Sequence, residues 1–108
     1  MILQQIAMQV SFIITKMNEN EIFKGYVVTF IHSDADNASF FCDTAEEAQE
    51  MLYGNFELIV NNYNEILNQE SSLVKYINND HTFAQIEYIE KENGYIESTQ
   101  IFVTEVYE

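Results

Sequence analysis

The side chains able to do chemistry in this chain are few in kind: two histidines, His32 and His81, one cysteine, Cys42, and 18 Asp and Glu. Metal or nucleophilic chemistry needs such groups at ligand spacing, or a nucleophile with a base in reach. Neither histidine has a matching ligand pattern, and both flank turns as ordinary surface residues do. Cys42 stands alone, so it closes no internal disulfide. It suits a reducing compartment and reads as a small buried hydrophobe at a strand end. Asp34-Ala35-Asp36-Asn37, with Asp43 nearby, gathers the oxygen ligands a hard cation would want. A calcium loop also needs Gly at its sixth position and a carboxylate at its twelfth, and counting from Asp34 those are Ser39 and Ala45. The run reads instead as a turn closed by its own side chains. There is no Gly-rich phosphate loop and no nucleophile elbow. Paired carboxylates could act as acid and base, but with 18 of them any pair is uninformative. The chain is therefore not expected to be an enzyme, and no catalytic residue, metal or cofactor is assigned.

What the acids lack is counter-charge. Four Lys and no Arg leave a formal net charge of −14 over 108 residues. The 11 Asn and abundant Ile fit AT-rich coding, which would equally favour Lys, so nucleotide bias does not explain the shortage of cations. Two explanations remain, solubility or a partner that is itself cationic. With so few cations the chain is not expected to bind nucleic acid directly. Duplex DNA carries one charge per about 1.7 Å, so 14 charges correspond to about 24 Å of duplex. The partner this favours is a basic protein, such as a nuclease or CRISPR effector, whose nucleic-acid groove an acidic surface would fill.

Those acids must be positioned by local structure. From Gln5 to Lys16 apolar Ile6, Met8, Val10, Phe12 and Ile14 alternate with their neighbours, which predicts a strand with one buried face. Asn18 to Glu21 is a polar turn. A second strand follows over Ile22 to His32, with Tyr26, Val28 and Phe30 on one face and Gly25 marking a bulge. Ser33 to Asn37 turns the chain into a short third strand, Ala38 to Cys42. Asp43 as N-cap, with Glu46 three positions on, predicts a helix start by a capping box. Ala45, Ala48, Leu52, Phe56, Ile59, Tyr63 and Ile66 then form one apolar stripe over some 24 residues, about 36 Å of helix. Glu46, Glu50 and Glu57 occupy the opposite face. Gly54 lies on that outer side and marks a kink or a close approach of another surface. Ser71 to Asp80 fits a short second helix or a packed connector.

Thr82 to Glu92 and Tyr95 to Tyr107 flank Asn93-Gly94, which predicts a hairpin closed by a two-residue type I′ turn. That register pairs Glu90 with Glu97, Tyr88 with Thr99, Ile86 with Ile101 and Ala84 with Val103. Like charges facing each other on a sheet are unfavourable by some tenths of a kcal/mol, so Glu90, Glu92 and Glu97 are placed there at some expense to folding. The expected whole is a single α+β domain over residues 1–108. It is a two-layer sandwich in the order βββαββ, with an antiparallel sheet of four to five strands packed on one long helix. The first ten residues hold no basic segment or small-residue cleavage site, and no apolar run reaches the roughly 20 residues of a spanning helix. A cytoplasmic location in a bacterial host is expected, away from membranes.

Gly25-Tyr26-Val27-Val28-Thr29-Phe30, a loop, and Phe41-Cys42-Asp43-Thr44-Ala45-Glu46-Glu47-Ala48 resemble the strand-loop-strand-helix portion of HicB-type antitoxins. The resemblance runs from Gly25 to Leu52, about a quarter of the chain. Cys42 stands where that family carries a Gly, and the loop has no Pro. In size, acidity and AT-rich composition the chain is also similar in character to small phage proteins that disarm host defences, anti-CRISPR proteins among them. Three functions follow as expectations. The first is an acidic inhibitor that binds the basic nucleic-acid-binding surface of a host enzyme through Glu90, Glu92 and Glu97, with Glu46, Glu50 and Glu57 as a second set. The next is an antitoxin or immunity-type module, with a homodimer formed through strand edges or through Phe83, Ile89, Ile96 and Phe102 on the outer sheet face. The third is a structural or oligomerising phage protein.

Overall fold

The computed structural model describes residues 22–108. The strand expected over Gln5 to Lys16 and the turn with Glu19 and Glu21 lie outside the described residues. Five strands and one helix follow: β1 (Phe23–His32), β2 (Ala38–Cys42), α1 (Ala45–Ile66), β3 (Ser71–Ile77), β4 (Phe83–Glu90) and β5 (Ile96–Tyr107). The strands make one sheet in the order β2-β1-β5-β4-β3, every neighbour antiparallel. This is an α+β arrangement, a sheet packed on a helix. Ser71–Ile77, open between helix and connector in the sequence, is an edge strand paired with β4 from Ser71↔Glu90 to Ile77↔Ala84.

Strand alternation and helical periodicity meet in the core. α1 turns Ala48, Leu52, Phe56, Val60 and Tyr63 inward at steps of four and three, onto Val28, Ala84, Ile86, Tyr88 and Ile101 of the sheet. Leu52, Ile86, Ile101 and Val28 are fully buried, each contributing about 1.5–3 kcal/mol by removal from water. The helix starts one residue later than the sequence suggested. Thr44, not Asp43, is the N-cap, with extended φ −124° and ψ 154°, and its Oγ1 accepts from the Glu47 N–H at 3.1 Å. Asp43 and Thr44 are both able caps by residue type, and Thr44 takes the role. At the other end Asn68 replaces the helix with an Asx turn. Its Oδ1 accepts from the Glu70 N–H at 2.7 Å while its own N–H donates to Ser71 Oγ at 3.0 Å.

The β4–β5 hairpin closes differently from the predicted turn. The observed pairs are Tyr88↔Glu97, Ile86↔Thr99 and Ala84↔Ile101, and the loop is the four residues Lys91 to Gly94. Gly94 has φ +70°, but Asn93 does not enter the left-handed region that a type I′ turn demands. Asn93 instead uses its side chain, with Oδ1 accepting from the Tyr95 N–H at 2.9 Å and Nδ2 donating to Glu90 Oε2 at 3.1 Å. The Lys91 N–H is drawn away to the Glu70 carbonyl at 2.9 Å. A shift of two residues leaves every side chain on its predicted face. It also separates Glu90 from Glu97, so the like-charge pair expected across the strands does not form.

Two glycines behave in opposite ways. Gly25 lies at the bulge between β1 and β5 with φ +150°, and a Cβ there would sit 2.6 Å from the Phe41 ring and 2.7 Å from the Cys42 carbonyl. Gly54 does not kink α1, which runs unbroken, and among the described residues a Cβ there meets nothing within 4 Å. Gly25→Ala is expected to lower unfolding free energy by about 1–3 kcal/mol, whereas Gly54→Ala is expected to raise it by about 1 kcal/mol. Urea unfolding of the two variants checks both signs.

Candidate functional site

Three chain reversals converge at one end of the sandwich: the β1–β2 loop, the β4–β5 loop and the connection from α1 to β3. Alternation along β1 puts His32 on the same face as Tyr26, Val28 and Phe30, and alternation along β5 puts Glu97 on the face of Thr99 and Ile101. Both therefore face the layer of α1. Tyr63, in the last turns of α1, donates its hydroxyl to Glu97 Oε1 at 3.1 Å and stacks on Tyr88 with ring centres 5.1 Å apart. His32 Nδ1 accepts from the Asp34 N–H at 3.0 Å, so the ring proton lies on Nε2, which faces Glu97 Oε1 at 3.4 Å. Tyr95 donates to Asp34 across the two loops.

The two phenols of this network, Tyr63 and Tyr95, keep their protons. Burial, followed by the hydrogen bond to Glu97 and the charge of that carboxylate, pushes the Tyr63 hydroxyl up to about 12. The bond to Asp34 is the main cause that pushes Tyr95 up to about 12. Neither phenol is a base or nucleophile near neutrality. Thr99, paired with His32 on one side and Ile86 on the other, is buried with a hydroxyl that has no partner. At the other end of the sheet Cys42 is buried, and burial first, then Glu47 and Asp43, pushes its thiol up, which keeps it from being a reactive thiolate. His81 stacks on Tyr53 at 4.6 Å. A depression of about 340 Å³ along Tyr76, Ile77, Asn78, Asn79 and Asp80 contains a single carboxylate. Among the described residues no group of three His, Cys, Asp or Glu could hold a metal ion, and no helix is long and apolar enough to cross a membrane.

The predicted partner-binding acids divide into two sets. Glu90 and Glu92 sit at the convergent end, Glu90 half-buried and Glu92 exposed. Glu97 is at the same end but turned inward to Tyr63 and His32, so it organises the end rather than projecting from it. Asp34, Asp36, Glu65 and Glu70 complete this acidic end, against Lys91 alone among the lysines. The C-terminus of α1 points the same way with no basic residue in its last turn, which adds the negative pole of the helix dipole. Glu46 and Glu50 are exposed at the opposite end, where they favour the start of α1, and Glu57 is exposed between. From Glu46 to Tyr63 the helix runs about 25 Å, so the two sets are separate patches. The organising residues His32, Asp34, Tyr63 and Tyr95 do not stand out by residue type. Strand parity carries a signal for His32, but the others meet only through the fold.

No known protein family, curated protein or solved structure matches the chain.

A phenol held protonated in the folded chain contributes stability that is complete below its unfolded value near 10 and is lost as pH rises toward about 12. Tyr63→Phe is expected to be less stable than the parent by about 1 kcal/mol near neutral pH. The gap should close as pH climbs from 10 toward 12, because only the parent must keep a proton there. Chemical unfolding of both proteins at stepped pH reads this, and a gap constant with pH would mean that Tyr63 is not held as described.

Proposed function

We propose that this protein is an acidic inhibitor that occupies the basic nucleic-acid-binding surface of a host enzyme, such as a CRISPR effector. The observation that carries this reading is the uncompensated charge of the described residues. They hold 16 Asp and Glu against three Lys, and a single lysine–carboxylate pair forms among them, Lys24 Nζ to Glu108 Oε2 at 3.3 Å. Acids without counter-ions repel one another and give little to folding, but they steer a cationic partner and favour its binding. Their arrangement supports the reading further. Glu90 is held at one end by the Asn93 amide with Glu92 exposed beside it, and the second set lies about 25 Å along the helix, a spacing on the scale of a duplex footprint. A basic groove that tracks phosphates would meet both sets.

The segment Gly25 to Leu52 is built as strand, loop, strand and helix, the order found in the antitoxins it resembles. That supports a second reading, a module that neutralises a small toxin, in which the acids would serve solubility.

Immobilised full-length protein exposed to nuclease-treated bacterial lysate and eluted by a salt gradient separates the two. A basic nucleic-acid-binding enzyme is expected to leave at moderate salt and to lose its grip on DNA when the protein is added back. Replacing Glu90 and Glu92 together by Gln is expected to weaken that binding about tenfold with an unchanged circular dichroism spectrum, and Glu46→Gln with Glu50→Gln reports on the second patch. Glu97 is unsuitable for this purpose, since its loss would loosen the acidic end itself. Recovery of a small toxin that no salt releases would favour the second reading, and recovery of no basic protein at low salt would overturn the first.

A further inference from the structure

The sheet has a second face, opposite α1, and it is nearly free of charge. Alternation puts Val27 and Ile31 of β1, Phe41 of β2, Phe102 of β5, Phe83 of β4 and Val74 of β3 on it, and the register joins Val27↔Phe41 and Phe83↔Phe102 across strands. Thr29, Ser39, Ser72, Gln85, Ser98, Gln100 and Thr104 share the face, polar but uncharged, where a solvated antiparallel face would also carry charges. Here Glu87 is the only charged residue among the outer-face positions of the five strands, and Gln85 Nε2 bonds it at 2.8 Å. A chain this acidic has kept its charges off one face. Around the rim Phe41 is 55% exposed, Val74 54% and Ile96 51%.

We propose that two copies of this chain pack sheet against sheet through these faces, giving a two-fold helix–sheet–sheet–helix dimer. Area and charge both select a second copy as the occupant. Five strands about 4.8 Å apart, with central strands of about 30–40 Å, offer roughly 700 Å², close to the roughly 800 Å² each partner gives to a stable interface. Depletion of charged residues is the compositional mark of an interface core, and this face has it. A partner chosen for its positive charge gains nothing on a face with one carboxylate. A second copy is repelled everywhere else, yet here it meets only Glu87. The helix acids lie on the far side, with the α1 layer about 10 Å from the sheet, beyond the Debye length of about 8 Å at physiological salt, and the acidic loops lie beyond the end of the sheet, off its outer face. Aligned sheets about 10 Å apart let Phe41, Phe83 and Phe102 interdigitate with their symmetry mates. The dimer is independent of the inhibitor reading, and would present each acidic patch twice.

Sedimentation equilibrium of the full-length protein at about 0.15 M and about 0.5 M salt tests this. A mass of twice 12.6 kDa is expected, with association unchanged or tighter at the higher salt. Phe102→Glu is expected to weaken association about a hundredfold or more. Val74→Glu, at an exposed edge position that folding does not need, guards against simple misfolding and should weaken it in the same direction. A monomer at both salts overturns the proposal, as does a dimer that both variants leave intact or that high salt dissolves. A monomer in which a cysteine placed by Val74→Cys, with Cys42→Ala, resists labelling would assign the face to residues 1–21 and overturn it as well.

Discussion

Val28 and Ile101 expose no surface, and both belong to the pairing of β1 with β5 that runs from Phe23↔Tyr107 to His32↔Thr99. Every other element hangs from this seam. β2 is joined to the sheet only through β1, and β3 and β4 only through β5. Without the seam the described residues would be a two-stranded hairpin, a three-stranded meander and a helix with nothing continuous on which to lay its stripe, and a lone hairpin is marginal in water. The partners are also the first and last described strands, so closing the sheet joins residues about 75 positions apart and incurs the loop entropy before the apolar contact is gained. The bulge at Gly25 lies in this seam, with the Phe41 ring and Cys42 carbonyl pressed where a Cβ would be.

Charge has to be arranged around that seam, because desolvating an unpaired carboxylate costs more than any apolar contact returns. The strands leave the interior of both faces nearly free of ions and send the acids to loops, helix surface and sheet ends. Glu97 shows how an inward-facing carboxylate is accommodated. It points toward the helix layer but near its end, half-buried, where the Tyr63 hydroxyl donates to it and His32 Nε2 lies 3.4 Å away. These contacts bring α1, β1 and β5 together. One carboxylate thus serves as a joint for three elements, and the loops carrying Asp34 and Tyr95 are clasped over it.

Much of the layout was legible because it rests on period and parity. Ala48, Leu52, Phe56 and Tyr63 of the apolar stripe, the strands through Val28 and Ile101, and the faces of Ala84 and Ile86 all follow from spacing alone, whereas Val60 takes the core place expected of Ile59, and Ile66, expected on the stripe, is exposed where α1 ends beyond the core. Parity even survives the hairpin error, since a shift of two residues returns each side chain to its own side. What spacing could not supply was anything decided by contact between distant segments. Ser71–Ile77 is a short apolar run whose state is settled by pairing with β4. The hairpin loop lengthens because Lys91 finds the Glu70 carbonyl, and no local rule contains Glu70. The candidate site divides in the same way. Glu90 and Glu92 could be placed at a tip from sequence, whereas Tyr63 reaching Glu97 depends on how α1 lies across the sheet, and Asp34 meets Tyr95 across 61 positions. Glu46 and Glu50 were legible as helix acids, but their separation from the tip was not, because it follows from the direction in which α1 crosses.

The two surfaces proposed here need each other's absence. A face meant to approach another copy of a chain with net charge −14 must be stripped of acids, since like charges brought together over a desolvated area repel with little screening. A surface meant to draw a basic partner must keep its acids exposed and unpaired, which forbids it from burying against anything neutral. A single antiparallel sheet solves this by alternation. Successive residues go to opposite sides, so β5 can place Glu97 toward the acidic end and Phe102 toward the bare face within one strand. The helix then carries the remaining acids to the side that a sheet-to-sheet contact leaves outermost, and stiffness along α1 fixes the distance between the two acidic patches whether the chain acts alone or as a pair.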